Sequence, residues 1–215
     1  MKYEIASLNM GKPSTYLFGD KEVHTGIIKT PTNEPCVLKY DGFTLDGQAD
    51  LKNHGGKEKA LLLYSANHYP YWENTYHRTF TYPSFGENIT IDTLTEKDVY
   101  IGDVFQLGTA IIQVSQPRQP CYKIAAYQQL KDLPARVTLT GFSGVYFRVL
   151  QEGVVSNTDV LEKIEEAKHK ITSYDIFNCL FHDKANIERM KVYIHIDSLS
   201  ENVKRTFQKR IMKQS

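Results

Sequence analysis

The chain has 215 residues, enough for one large domain or a domain with a small appendage. Lys and Arg total 26 against 25 Asp and Glu, a formal charge of +1, which excludes nucleic-acid binding driven by bulk charge and leaves only a local basic patch open. Hydrophobic residues at 41% support a substantial core, while the three scattered cysteines, Cys36, Cys121 and Cys179, suit neither a secreted disulfide framework nor a CxxC zinc site.

The chain opens on MKYEIASLNM, which lacks the apolar run of a signal peptide, and no stretch approaches the roughly 18 apolar residues of a membrane span. A soluble cytoplasmic protein is expected. YEIASLNM and VLKY have strand length, and KALLLYS is a short continuous apolar run of the kind found in buried strands. SANHYPYWENTY reads as a helix with Ser65 as N-cap, and Pro70 requires it to start late or kink. DVFQLG followed by AIIQVSQ predicts a hairpin turning at Gly108 and Thr109. CYKIAAYQQL has Ile124, Ala125 and Gln128 at helical spacing, with its start at Pro120 and Cys121, since proline suits a first helical turn. GVYFRVLQEG alternates, with Val145, Phe147 and Val149 on one face and Tyr146, Arg148 and Leu150 on the other. Many short strands parted by Gly, Pro and Asp predict a mainly β protein: a closed or nearly closed barrel with interrupting helices, over residues 1–167.

Past residue 168 the pattern turns helical. ITSYDIFNCLF places Tyr174, Phe177 and Phe181 on one side of a helix capped by Thr172 or Ser173, and Asp183 is expected to cap the next. SENVKRTFQKRIMKQS spaces Val203, Phe207 and Ile211 four apart with Lys204, Arg205, Lys209 and Arg210 between them, an amphipathic helix opened by Ser198 or Ser200. A small helical unit over residues 168–215 is therefore expected, its basic face solvated.

Chemistry concentrates in a few segments. In VSQPRQPCYK, Cys121 would lie in the first turn of a helix, where the dipole is positive, with Arg118 and Lys123 adding cationic charge. Each effect favours thiolate, which is both nucleophile and soft metal ligand; the alternative is a buried packing cysteine. Cys36, at a strand start, and Cys179, on an apolar helix, read as packing. LDGQADLKNHGGKEKALLLYS gathers Asp46, Asp50, His54, Gly55, Gly56, Glu58 and Lys59 before a strand. It lacks the order of a calcium loop, and His-Gly-Gly suits either an anion-binding turn or a plain hairpin loop. In FGENITI, Gly86 and Asn88 fit a turn. An inward Arg148 needs a partner or an anion, whereas an outward one is merely solvated. The histidines His68, His77, His169, His182 and His195 show no metal-ligand spacing.

Taken in order, TGIIKTP, LDGQADLKNHGGKEKALLLYSANHYPYWE, FGENIT, IGDVFQLG, VSQPRQPCYK and GVYFRVLQEG resemble the MOSC family, the molybdenum-cofactor sulfurase C-terminal domain proteins, and its YiiM-like branch in particular. The tail resembles that branch's three-helix appendage. The resemblance implies a β-barrel holding a molybdenum cofactor, with Cys121 as the metal ligand. It implies Lys59, Arg118 and Arg148 as cations for the cofactor, the turn from His54 through Gly55 to Gly56 as backbone donors, and Asn88 and Ser115 as polar lining. Two positions depart from the family pattern: Glu58 stands where aspartate is usual, and Leu45 where glycine is common.

That branch is associated with reduction of N-hydroxylated compounds, hydroxylamino-purines included, to amines, and the same chemistry is expected here. His54 or Asp46 is the candidate proton source. No GxGxxG or CxxCH motif is visible, so electrons are expected from a separate reductase. The expected partners are therefore that reductase and a small N-hydroxylated substrate, with neither a nucleic-acid polymer nor a membrane; a homodimer is admitted. The rival readings are a cofactor or sulfur carrier module without turnover, a metal-free Cys–His hydrolase or transferase, and an interaction domain acting through its helical tail.

Overall fold

Short apolar strands joined by tight turns curl here until the first meets the last. The computed structural model describes residues 1–49 and 55–214. Its strands are β1 (Lys2–Met10), β2 (Ser14–Phe18), β3 (Lys21–Thr25), β4 (Thr30–Pro31), β5 (Cys36–Lys39), β6 (Gly42–Phe43), β7 (Leu61–Ser65), β8 (Ile89–Ile91), β9 (Val104–Leu107), β10 (Ala110–Pro117), β11 (Val145–Gln151), β12 (Gly153–Val155) and β13 (Val160–Glu165). Seven close into a barrel in the order β13-β9-β10-β11-β7-β8-β1, with β1 pairing back onto β13. Closure leaves the ring without an unpaired edge. Neighbours in the ring run antiparallel, except that β7 and β8 are parallel. β2 and β3 form a separate hairpin, and β5, β6 and β12 a small second sheet.

The expected alternation on β11 holds: Val145, Phe147 and Val149 are buried, Tyr146 and Arg148 half-buried, and Leu150 exposed. The β9–β10 hairpin turns at Gly108 and Thr109, as its glycine suggests.

The helices are α1 (Tyr69–Tyr76), α2 (Tyr122–Gln128), α3 (Leu133–Thr140), α4 (Ser173–Phe181), α5 (Ile187–Tyr193) and α6 (Glu201–Gln214). Pro70 does delay α1, which follows a short 3-10 turn at Ala66–His68, and the Ser65 side chain makes no cap bond. Cys121 is the N-cap of α2 in extended backbone, φ −131° and ψ 160°, rather than a first-turn residue as expected. α3 was not foreseen, although Pro134 in its first turn and Gly141 just past its end are the local signals for such a helix. Thr172 and Asp175 form a capping box at α4. α5 is capped by Asn186 and not by Asp183, whose carboxylate instead accepts from Asn186 Nδ2 at 2.7 Å. None of these helices is long and apolar enough to cross a membrane.

One buried cluster runs from the barrel interior, through Phe105, Phe147 and Leu161, into the helical unit, through Ile176, Met190 and Phe207. Enclosing Phe207 fully contributes roughly 1.5–3 kcal/mol and clamps α6 to the rest. A second, aromatic cluster of Tyr64, Tyr69, Trp72, Phe80 and Phe85 with Ile124, Leu133 and Val137 fixes α1, α2 and α3 against the outer wall. Trp72 Nε1 donates to the Tyr64 hydroxyl at 2.7 Å, and Tyr64 stacks on Phe85 at 4.2 Å, so the FGEN turn rests on a rigid base.

Candidate functional site

The site begins where β10 breaks its register. Pairing with β11 shifts between Val114 and Gln116, which leaves Ser115 as a bulge. The Ser115 hydroxyl is directed at the carbonyls of Glu58 and Tyr146 at 2.6 and 3.0 Å, which ties the bulge to the turn before β7 and to β11. Beyond it the chain runs through Pro117 and Pro120, and Arg118 N donates to Gly144 O at 2.9 Å. This frame delivers half-buried Cys121 to the edge of a cleft of about 600 Å³.

Four cationic side chains, Lys29, Lys59, Arg118 and Lys123, and one carboxylate, Asp46, line the described part of that cleft. Lys29 and Asp46 are paired and both nearly sealed from solvent. Asp46 also accepts from Asn88 Nδ2 at 2.8 Å and from Gly11 N at 3.0 Å. Burial pulls the Lys29 ammonium below its ordinary value, and Asp46 opposes that pull. Asn88 Oδ1 accepts from Leu62 N at 3.0 Å, so this side chain bridges β7 to the Asp46 loop.

Arg118 is only 5% exposed, yet its Nη1 has no hydrogen-bond partner among the described residues, nor does any described carboxylate pair with it. A buried guanidinium in that state is costly unless something anionic or carbonyl-rich meets it. Burial also raises the Tyr146 hydroxyl above the usual phenol value; Arg118 lowers it and Cys121 raises it further. Lys59 Nζ stands 5.9 Å from the centre of the Tyr146 ring.

The cleft walls approach closely because glycines stand at the crossings. A Cβ on Gly26 would sit 2.3 Å from Gly47 O, and Gly86, at φ +77°, lies against Ile27.

Behind that wall Glu87 is fully buried and accepts from the Tyr69 hydroxyl at 2.5 Å, Phe85 N at 2.9 Å and Thr90 Oγ1 at 3.1 Å. Desolvation outweighs these donors and raises its carboxyl above the ordinary 4.5. In that window the folded state holds the proton more tightly than the unfolded chain. Stability should therefore fall as pH rises from 4.5 through the raised value. Denaturant titrations across that range should show the fall in the natural sequence and its loss in Glu87→Gln; an identical slope in both would refute the assignment.

Of the residues singled out from the sequence, Cys121, Lys59, Arg118, Asn88 and Asp46 meet at the cleft. Gly56 borders an adjoining hollow with Asp46 and Gly47, and Gly55 is half-buried beside it. His54 lies outside the described residues, as does Asp50. Ser115 acts through the frame, not the lining. Arg148 is not at the cleft either: it pairs with Glu58 and donates to Gln113 Oε1 at 2.7 Å and to Ser198 O at 2.7 Å. Its partner explains the longer Glu58 arm, which reaches across to β11. Asp46 accepts from Lys29, Asn88 and Gly11 on its carboxylate, which anchors the loop that carries it. Lys29 and Gln48 were not singled out; both lie in quoted segments, TGIIKTP and DGQAD, where spacing alone gives no direction.

Comparison with known proteins agrees with this layout. A model of the MOSC domain matches residues 50–162, and one of the YiiM-like, 3-alpha helix domain matches residues 175–214. The uncharacterized protein YflK of Bacillus subtilis (strain 168) is 42% identical over 209 residues, spanning 97% of this chain and 95% of its own. The crystal structure of YiiM from Geobacillus stearothermophilus superposes with a TM-score of 0.84 at 41% identity, covering 97% of this chain and 99% of that one. A protein of Gibberella moniliformis (strain M3125 / FGSC 7600) named "Reductase" is 30% identical over 148 residues, which are 67% of this chain and 26% of that protein.

Proposed function

The chain belongs to the MOSC domain family and carries the YiiM-like three-helix unit, and on that premise we propose that it is a molybdenum-cofactor-dependent reductase of N-hydroxylated compounds, such as hydroxylamino-purines. One observation carries this reading: a buried Arg118 with an unmatched Nη1 stands in the same cleft as Cys121. Such a cleft suits a ligand with a soft metal at one end and phosphate and polar edges at the other. No group of three or more His, Cys, Asp or Glu side chains able to hold a metal forms among the described residues, so a metal here relies on Cys121 and on ligands brought by the cofactor.

When bound, the cofactor supplies two-electron removal of oxygen from N–OH, so that R–NHOH with two electrons and two protons gives R–NH₂ and water. The chain's own groups do the rest. Cys121 Sγ holds the metal, Arg118 and Lys123 hold anionic oxygen, and the Lys29–Asp46–Asn88 cluster fixes the loop that shapes the wall. Tyr146 lines the cleft with Cys121. The Gibberella reductase supports reductive chemistry: about three quarters of that chain lies outside the matched segment, which leaves room there for an electron source. Here the electrons come from a separate reductase, in the cytoplasm.

The test is turnover. Protein from a host that makes molybdenum cofactor should reduce a hydroxylamino-purine with an artificial reductant, and Cys121→Ser should lose at least about a hundredfold in rate. Bound molybdenum without turnover would instead identify a carrier module.

A further inference from the structure

Cys121 borders two hollows. Besides the cleft already described, it lines a second opening of about 510 Å³, and Cys121, Lys59 and Tyr146 are common to both. The remaining wall of the second includes Gln116, Gln119 and, from the helical unit, Asn202. Asn202 is held there by the way α6 begins. Ser200 N donates to Ser115 O at 3.1 Å, Ser200 Oγ donates to Gln116 Oε1 at 2.7 Å, and Arg148 grips Ser198 O. The tail is thus pinned to β10, the strand that leads into the Cys121 segment, with Val203 and Phe207 buried beneath.

The chemistry of this wall is specific. Gln116 is occupied, its oxygen by Ser200 and its nitrogen by Pro117 O at 3.1 Å, so it frames the opening. Gln119 and Asn202 are carboxamides, each presenting an N–H donor beside a carbonyl acceptor. Tyr146 offers a ring face and a hydroxyl, and Lys59 a cation. No Asp or Glu lies in the described lining, which disfavours cationic ligands.

We propose that this second hollow is the substrate chamber: it takes a planar, neutral heteroaromatic whose donor–acceptor edge is read by Asn202 and Gln119, while its N–OH group faces Cys121. The helical unit is then part of the active site. The inference rests on the reductase reading for its substrate, but its binding test does not.

The test titrates the product 6-aminopurine into the full-length protein by calorimetry and compares it with Asn202→Leu and Gln119→Leu. Asn202 is exposed at the start of α6, so its replacement should leave the fold and the molybdenum content unchanged. Each variant should weaken 6-aminopurine binding by about tenfold or more and raise KM for the hydroxylamino-purine. Binding within about twofold of the natural sequence in both variants would overturn the chamber assignment. If the natural protein bound 6-aminopurine through Asn202 yet reduced no N-hydroxylated compound, the chamber would stand and the reductase reading would fall.

Discussion

Asp46→Ala is expected to destabilise the fold by about 3–5 kcal/mol, because it leaves the buried Lys29 ammonium without its carboxylate. The same change unseats Asn88 and Gly11 N, so the loop that carries Gly47 and Gln48 should loosen as well. Asp46→Asn separates charge from shape. It keeps a side chain of similar size but removes the interaction that holds the Lys29 proton in place, so the already lowered Lys29 value should fall further. Between that lowered folded value and the ordinary lysine value the unfolded chain binds more protons than the fold, so stability rises with pH. The penalty in Asp46→Asn should therefore be largest at low pH and shrink as pH climbs. Chemical denaturation at several pH values reads this directly; a small penalty independent of pH would show that the pair contributes little.

Arg118→Met should separate folding from binding. The guanidinium is buried and Nη1 lacks a described partner, so an apolar isostere should leave the empty protein as stable as before or more so. Cofactor affinity should instead drop by about 2–5 kcal/mol, roughly thirtyfold to several thousandfold, since the ligand would lose a desolvated cation. Thermal unfolding of the empty protein and molybdenum retained after dialysis check the two halves. A clear loss of stability with unchanged retention would assign Arg118 to the frame.

Much of the barrel was legible because its strands either bury one face, as β11 does, or are buried throughout, as β7 is. Val145, Phe147 and Val149 announced β11, and the apolar run at Leu61–Ser65 announced β7. Cys121 stood out because two prolines and an arginine precede it. Arg148 was misjudged for a physical reason: alternation says which face a side chain occupies, not what lies opposite, and opposite it lie Glu58 and the tail. Asp46 was visible as a charge, but its neighbours Lys29 and Asn88 are 17 and 42 residues away, so its saturated carboxylate could not be read from spacing. The part played by Asn202 depends on how α6 is pinned, which no local pattern encodes.

The most direct measurement compares bound molybdenum in the natural protein and in Cys121→Ala, both purified from a cofactor-producing host. About one metal per chain in the first and almost none in the second is the result that a thiolate ligand at this cleft requires. Equal metal in the two would contradict it.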